Sequence, residues 1–145
     1  MKRFVKIISL VLVLCAVIAM PAYAQTGAEG RASSFFAYHD TYLYKTGERE
    51  FQIWFDVTAC TSVTHLGVSE IEVYRSSNQQ NWVRMRTYTY EYYPEMMDYN
   101  SGIHGGYVTY SNTTSGYYYK AYVTFYAKNS SGTGTVLRYT QILKM

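Results

Sequence analysis

Cysteine, proline and long apolar runs are scarce in this chain, and each scarcity excludes something. There are only two cysteines among 145 residues, and no Cys-x-x-Cys pair for zinc or dithiol chemistry. There are two prolines, Pro21 and Pro94, so little interrupts extended strands. Charged residues make up 16%, too few for an acidic or basic tail. No G-x-S-x-G elbow, H-E-x-x-H helix or phosphate-binding glycine loop occurs, which removes the common hydrolase, metalloprotease and nucleotidase signatures. The histidines, His39, His65 and His104, lie at spacings without metal-ligand logic, so neither a metal nor a cofactor is expected.

What is present begins with a leader. Lys2, Arg3 and Lys6 precede an apolar run from Ile7 to Ala19, and Ala22-Tyr23-Ala24 is a small-x-small cleavage site. Residues 1–24 therefore read as a signal peptide, with secretion as the expected fate. The apolar run falls short of the roughly 20 residues that a spanning helix needs. Leu14 before Cys15 does not fit a lipid-anchor signal. Cleavage before Gln25 leaves 121 of the 145 residues and removes three of the 13 basic residues, so ten cations face ten acids. A neutral domain offers no electrostatic pull on nucleic acid or an anionic membrane. Cys60 then stands alone, either as a buried small hydrophobe or as an intermolecular thiol.

The organisation expected after the leader is a loose tail over residues 25–34 and one domain over 35–145. Tyrosine is the signature residue, 18 in all, and no stretch sustains a 3.6-residue period. In 50–59, Phe51, Ile53, Phe55 and Val57 alternate with Gln52, Trp54, Asp56 and Thr58, as a half-buried strand does. Further strands are expected over 35–45, 69–75, 82–90, 107–110, 117–127 and 135–143. Ile71, Val73, Val123 and Phe125 join the inward set, and 69–90 forms a hairpin. Residues 92–106 read as an irregular loop broken by Pro94, Asn100-Ser101-Gly102 and Gly105-Gly106. About seven short strands closed by turns imply an all-β antiparallel sandwich.

The stretch from Tyr119 to Gly132, with its Ala127, Asn129 and Gly132 turn, resembles the penultimate strand of fibronectin type III and immunoglobulin-like domains. That resemblance implies a tyrosine corner near the strand's start, with Tyr119 or Tyr117 as the residue. The segment from Ile71 to Trp82 is similar to a strand-turn-Trp hairpin of bacterial secreted sandwich domains. The mature chain as a whole resembles small secreted proteins of Gram-positive bacteria, a likeness that brings no activity with it. An antibody-type core needs a Cys pair around a Trp on its third strand, which this chain lacks.

Catalytic constellations are thin. Asp40 and its neighbour His39 point to opposite faces of a strand and form no dyad. Glu70 and Glu72 share a strand face, roughly 7 Å apart, and could serve glycoside hydrolysis; a solvated outer face paired with Arg84 and Arg86 is the plainer reading. No catalytic residue is assigned. The densest cluster is aromatic: Tyr88, Tyr90, Tyr92, Tyr93, Tyr99 and His104, with Met96 and Met97. Tyr92, Tyr93 and Tyr99 are the expected binding residues, because exposed rings stack on sugars and anchor interfaces. Trp54, on the polar side of its strand, is the second candidate. The function expected is a secreted, non-enzymatic binding module for a cell-surface glycan or protein. A structural subunit joined through sheet edges and a hydrolase with an unrecognised site are the alternatives.

Overall fold

Alternation builds the strands, and bulges decide which residues they bury. The computed structural model describes residues 34–145. The signal peptide read over 1–24, Cys15 and the tail over 25–34, except Ser34, lie outside the described residues. Nine strands follow in order: β1 (Phe36–Gly47), β2 (Glu50–Ala59), β3 (His65–Ser76), β4 (Val83–Thr89), β5 (Met97–Tyr99), β6 (Ile103–Ser111), β7 (Tyr118–Asn129), β8 (Gly132–Tyr139) and β9 (Leu143–Lys144). A single 3-10 turn, Pro94–Met96, precedes β5. No helix among the described residues is long and apolar enough to cross a membrane.

All pairings are antiparallel, in two sheets. The smaller sheet has the order β1-β2-β6, and the larger β4-β3-β7-β8. The short β5 pairs with residues 65–67 of β3, on the edge away from β7. Likewise β9 pairs with Tyr118 and Tyr119, on the edge of β7 away from β3. The result is an all-β antiparallel sandwich. The β3–β4 hairpin is closed at Asn78, whose Oδ1 accepts the backbone N–H groups of Gln80 and Asn81, each at 3.0 Å.

The core lies between the sheets. Phe51, Ile53, Phe55, Val57, Ile71, Val73, Val123 and Phe125 are all at most 1% exposed, as alternation alone requires. Each fully buried side chain of this size contributes about 1.5–3 kcal/mol of transfer free energy. Tyr119 is buried with them, and its hydroxyl accepts the Thr114 backbone N–H at 2.8 Å, the geometry of a tyrosine corner.

The structure departs from the sequence-based expectations in particular places. β3 starts at His65, not at 69, because a bulge between Val68 and Glu70 switches the inward parity. Leu66 and Val68 are buried before the bulge, and Ile71 and Val73 after it. β6 starts at Ile103, through the glycines expected to break it. Gly106 lies against the Phe55 ring, where an added Cβ would sit 3.0 Å from Phe55 Cζ. The 92–106 segment is thus largely structured. Its Met96 and Met97 are core residues, not surface thioethers. Gly67 is buried because the Met96 carbonyl and Met97 Cα pass directly over it; a Cβ would collide with Met96 O and lie 2.9 Å from Met97 Cα. Cys60 is exposed, with its thiol on the Ser34 carbonyl at 2.6 Å, which overturns the reading of it as a buried small hydrophobe.

Both edge strands of the smaller sheet are held by side chains from the other half of the sandwich. Gln141, between β8 and β9, donates from Nε2 to the Leu43 carbonyl at 3.0 Å. Its Oε1 accepts the Leu43 N–H at 3.3 Å. On the opposite edge, Tyr88 of β4 donates its hydroxyl to the Thr109 carbonyl of β6 at 2.8 Å.

Candidate binding face

With Phe51, Ile53, Phe55 and Val57 turned inward, β2 must present Gln52, Trp54, Asp56 and Thr58 outward. Register then sets their neighbours. Tyr42 of β1 is opposite Trp54, and Trp54 is opposite Tyr107 of β6. The outcome is an aromatic row running across all three strands of the smaller sheet. The Tyr42 and Trp54 rings are parallel within 1°, with centroids 6.2 Å apart. Trp54 and Tyr107 are 4.7 Å apart at 37°. The indole N–H donates to Gln52 Oε1 at 2.9 Å, which fixes the ring across the row. Both flanking tyrosines are exposed.

The next row along the strands is acidic. Asp40 is opposite Asp56, and Asp56 is opposite Gly105. The Asp56 carboxylate occupies the space beside Gly105, where a Cβ would run into its Oδ1. Asp40 Oδ1 accepts the Thr41 N–H at 2.8 Å. Tyr38, Thr58 and Ile103 form the row beyond, with Tyr38 and Ile103 exposed. The face is therefore two parallel stripes, one of rings and one of carboxylates, bounded by a third stripe with apolar ends.

The outer face of the larger sheet is also rich in tyrosine, but its own lysines lie over several of its rings. The Lys120 ammonium lies 4.3 Å from the Trp82 ring centroid and 5.0 Å from that of Tyr122. Lys144 lies over Tyr118; the pairs Arg75–Tyr117 and Arg86–Tyr88 belong instead to the core-facing side, where Tyr88 is buried and Tyr117 packs against the core. Arg84 bonds the Glu72 carboxylate at 2.6 Å, one half of the cross-strand pairing expected from sequence, while Arg86 bonds the Tyr93 hydroxyl instead. Among the described residues, no cation lies over Tyr42, Trp54 or Tyr107.

The three loop tyrosines have separate environments. Tyr92 is 85% exposed. Tyr93 is partly buried against the core, with its ring 4.9 Å from that of Tyr88, and its hydroxyl accepts from Arg86 at 2.6 Å. Tyr99 is exposed on β5 and meets His65 edge-on at 4.9 Å. Tyr93 and Tyr99 thus pack on different partners, one on β4 and one on β3.

The histidines are similarly dispersed. His39 accepts from Arg138 at 3.1 Å and packs against Phe36 and Phe125. His104 reaches the Glu95 carbonyl, and His65 the Thr64 hydroxyl. Among the described residues, no group of three or more His, Cys, Asp or Glu side chains could hold a metal ion.

Trp54 was legible as an outward ring from alternation alone. Tyr42 and Tyr107 were not singled out from sequence, because their place beside Trp54 depends on register between strands far apart in the chain. The outward run Tyr38, Asp40, Tyr42, Tyr44 was the signal available for the first of them. No protein-family model matches the chain, and no curated protein matches it.

Proposed function

We propose that this chain is a secreted, non-catalytic binding module on a fibronectin type III-like sandwich, and that it captures its ligand on the outer face of β1–β2–β6. The observation that carries this reading is the Tyr42–Trp54–Tyr107 row. Three large rings in register, the outer two exposed and Trp54 half-buried between them, form an anchor surface with little side-chain entropy left to lose. Folding alone does not call for such a row, since a solvated sheet face is served as well by polar residues.

Secretion is supported by the residue pattern over 1–24. The fold assignment within sandwiches is supported by two features. The fourth strand, β4, lies beside β3; in an immunoglobulin constant domain the fourth strand joins the sheet of the first two. The Tyr119 hydroxyl bonds the chain just before its own strand. A cell-surface glycan is the ligand class that suits flat exposed rings.

A glycan array and a peptidoglycan pull-down test this reading, each run with the wild type and with Trp54→Ala. Capture that is lost with Trp54 while the fold is retained supports the sheet face. Capture retained by a folded Trp54→Ala variant removes it, and the exposed loop residues Tyr92 and Tyr99 become the surface to test.

A further inference from the structure

We propose that the outer face of β1–β2–β6 takes a cationic amino-sugar polymer, whose sugar faces stack on Tyr42, Trp54 and Tyr107 while its ammonium groups meet Asp40 and Asp56. This rests on the reading of that face as the binding surface.

Charge is the first argument. Asp40 and Asp56 are direct cross-strand partners, an arrangement that costs folding free energy through like-charge repulsion. None of the outward positions in the ring, acid and Tyr38–Ile103 rows is Lys, Arg or His. Glycine at 105 leaves room on β6 for the Asp56 carboxylate. The face therefore presents two negative charges without internal compensation, and its complement is a ligand that carries positive charge.

The second argument comes from the opposite sheet. There, on the outer face, the chain places Lys120 over Trp82 and Tyr122 and Lys144 over Tyr118. The smaller sheet has equivalent rings, with the strongest cation acceptor, an indole, in the middle, and among the described residues no cation lies over them. A cation from outside would complete the same interaction, with two carboxylates adjacent to hold it.

Shape selects the kind of cation. The ring row spans two inter-strand steps, about 10 Å, and the acid row runs parallel to it about 7 Å further along the strands. A line of flat anchors matches a chain of flat units, each with a charged substituent to one side. A basic peptide would instead use a sheet edge or a groove. The face is an open sheet surface, and its edge strands are bonded by Gln141 and Tyr88.

The test is calorimetric titration of the secreted protein in mildly acidic buffer with three probes: a β-1,4-linked glucosamine hexamer, its fully N-acetylated counterpart and hexalysine. The glucosamine hexamer is expected to bind at least about tenfold more tightly than the acetylated one, with an affinity that falls as salt is added. The Asp40→Asn, Asp56→Asn double variant should erase that preference and leave any weak binding of the acetylated hexamer unchanged. Trp54→Ala should remove both; Tyr107→Ser serves as a second ring variant, and circular dichroism checks that each is folded. Equal binding of the two hexamers, abolished by Trp54→Ala, overturns the amine requirement but leaves the face as the site. Binding of hexalysine in place of the glucosamine hexamer, lost in the aspartate variant, overturns the sugar and assigns a basic peptide. Failure of the glucosamine hexamer to bind overturns the proposal outright. If it binds equally well to folded ring variants, the face itself is excluded.

Discussion

Tyr88 donates its hydroxyl to the Thr109 carbonyl at 2.8 Å, a single bond that ties β4 of the larger sheet to the edge of the smaller one. The ring is 1% exposed, with the Arg86 guanidinium over it at 4.7 Å. Burial pushes its pKa up from 10.0 to about 12.

Removal of that hydroxyl should cost about 1 kcal/mol, since Thr109 loses a partner while the ring stays packed. Tyr88→Phe is the variant, and urea unfolding reads the loss. The wild type should also show an alkaline dependence. The folded pKa lies above the unfolded one, so this contribution is complete below pH 10.0 and is lost as pH rises through about 12. Ultraviolet titration should find one fewer late-ionising tyrosine in the variant than in the wild type.

The core predictions separate lost volume from added volume. Phe125 is fully buried, so Phe125→Ala should cost about 3–5 kcal/mol. Gly67→Ala adds one methyl where Met96 O and Met97 Cα already pass, and should cost about 1–3 kcal/mol. Denaturant midpoints measure both. A neutral Gly67→Ala would mean that the 3-10 turn can lift off β3 freely.

His39 should make the fold acid-sensitive. Burial, and then the Arg138 charge, hold its pKa below 6.5. The folded state therefore disfavours the imidazolium, and its ring nitrogen accepts from Arg138 only while unprotonated. Stability from this group is present above pH 6.5 and declines as pH falls below that value. Melting curves between pH 7 and pH 5 should slope downward in the wild type, and more shallowly in His39→Gln.

The loop tyrosines should divide by environment. Tyr92→Ala is expected to shift stability by no more than about 0.5 kcal/mol. Tyr93→Ala should cost about 1–2 kcal/mol, because it removes the ring against Tyr88 and leaves Arg86 without its phenol. Thermal melts of the two single variants decide this. Equal and negligible losses would show Tyr93 to be a surface group after all.

Much of the sandwich was legible because β2 and β7 keep strict alternation, so Phe51, Ile53, Phe55, Val57, Val123 and Phe125 could be assigned inward from spacing alone. The opening residues of β3 were not, because the bulge before Glu70 changes parity without any mark in local composition. Gly105 and Gly106 read as breakers, since a sequence does not reveal that an aspartate and a phenylalanine from another strand need their space. The binding face was half legible. Alternation exposes Trp54, but the alignment of Tyr42 and Tyr107 with it is a product of register among strands that meet only after the chain has folded.

The Gln141 amide bonds both the N–H and the C=O of Leu43, as a neighbouring strand would. Any chain adding to β1 at that point would have to dislodge it first. Two hydrogen bonds would be broken to make two, and the newcomer would also lose conformational freedom. Thr109 on the far edge presents a smaller exchange, one bond to its carbonyl with Tyr88 as the occupant. At Leu43 and at Thr109, strand addition to the smaller sheet would therefore begin by breaking bonds the fold already makes.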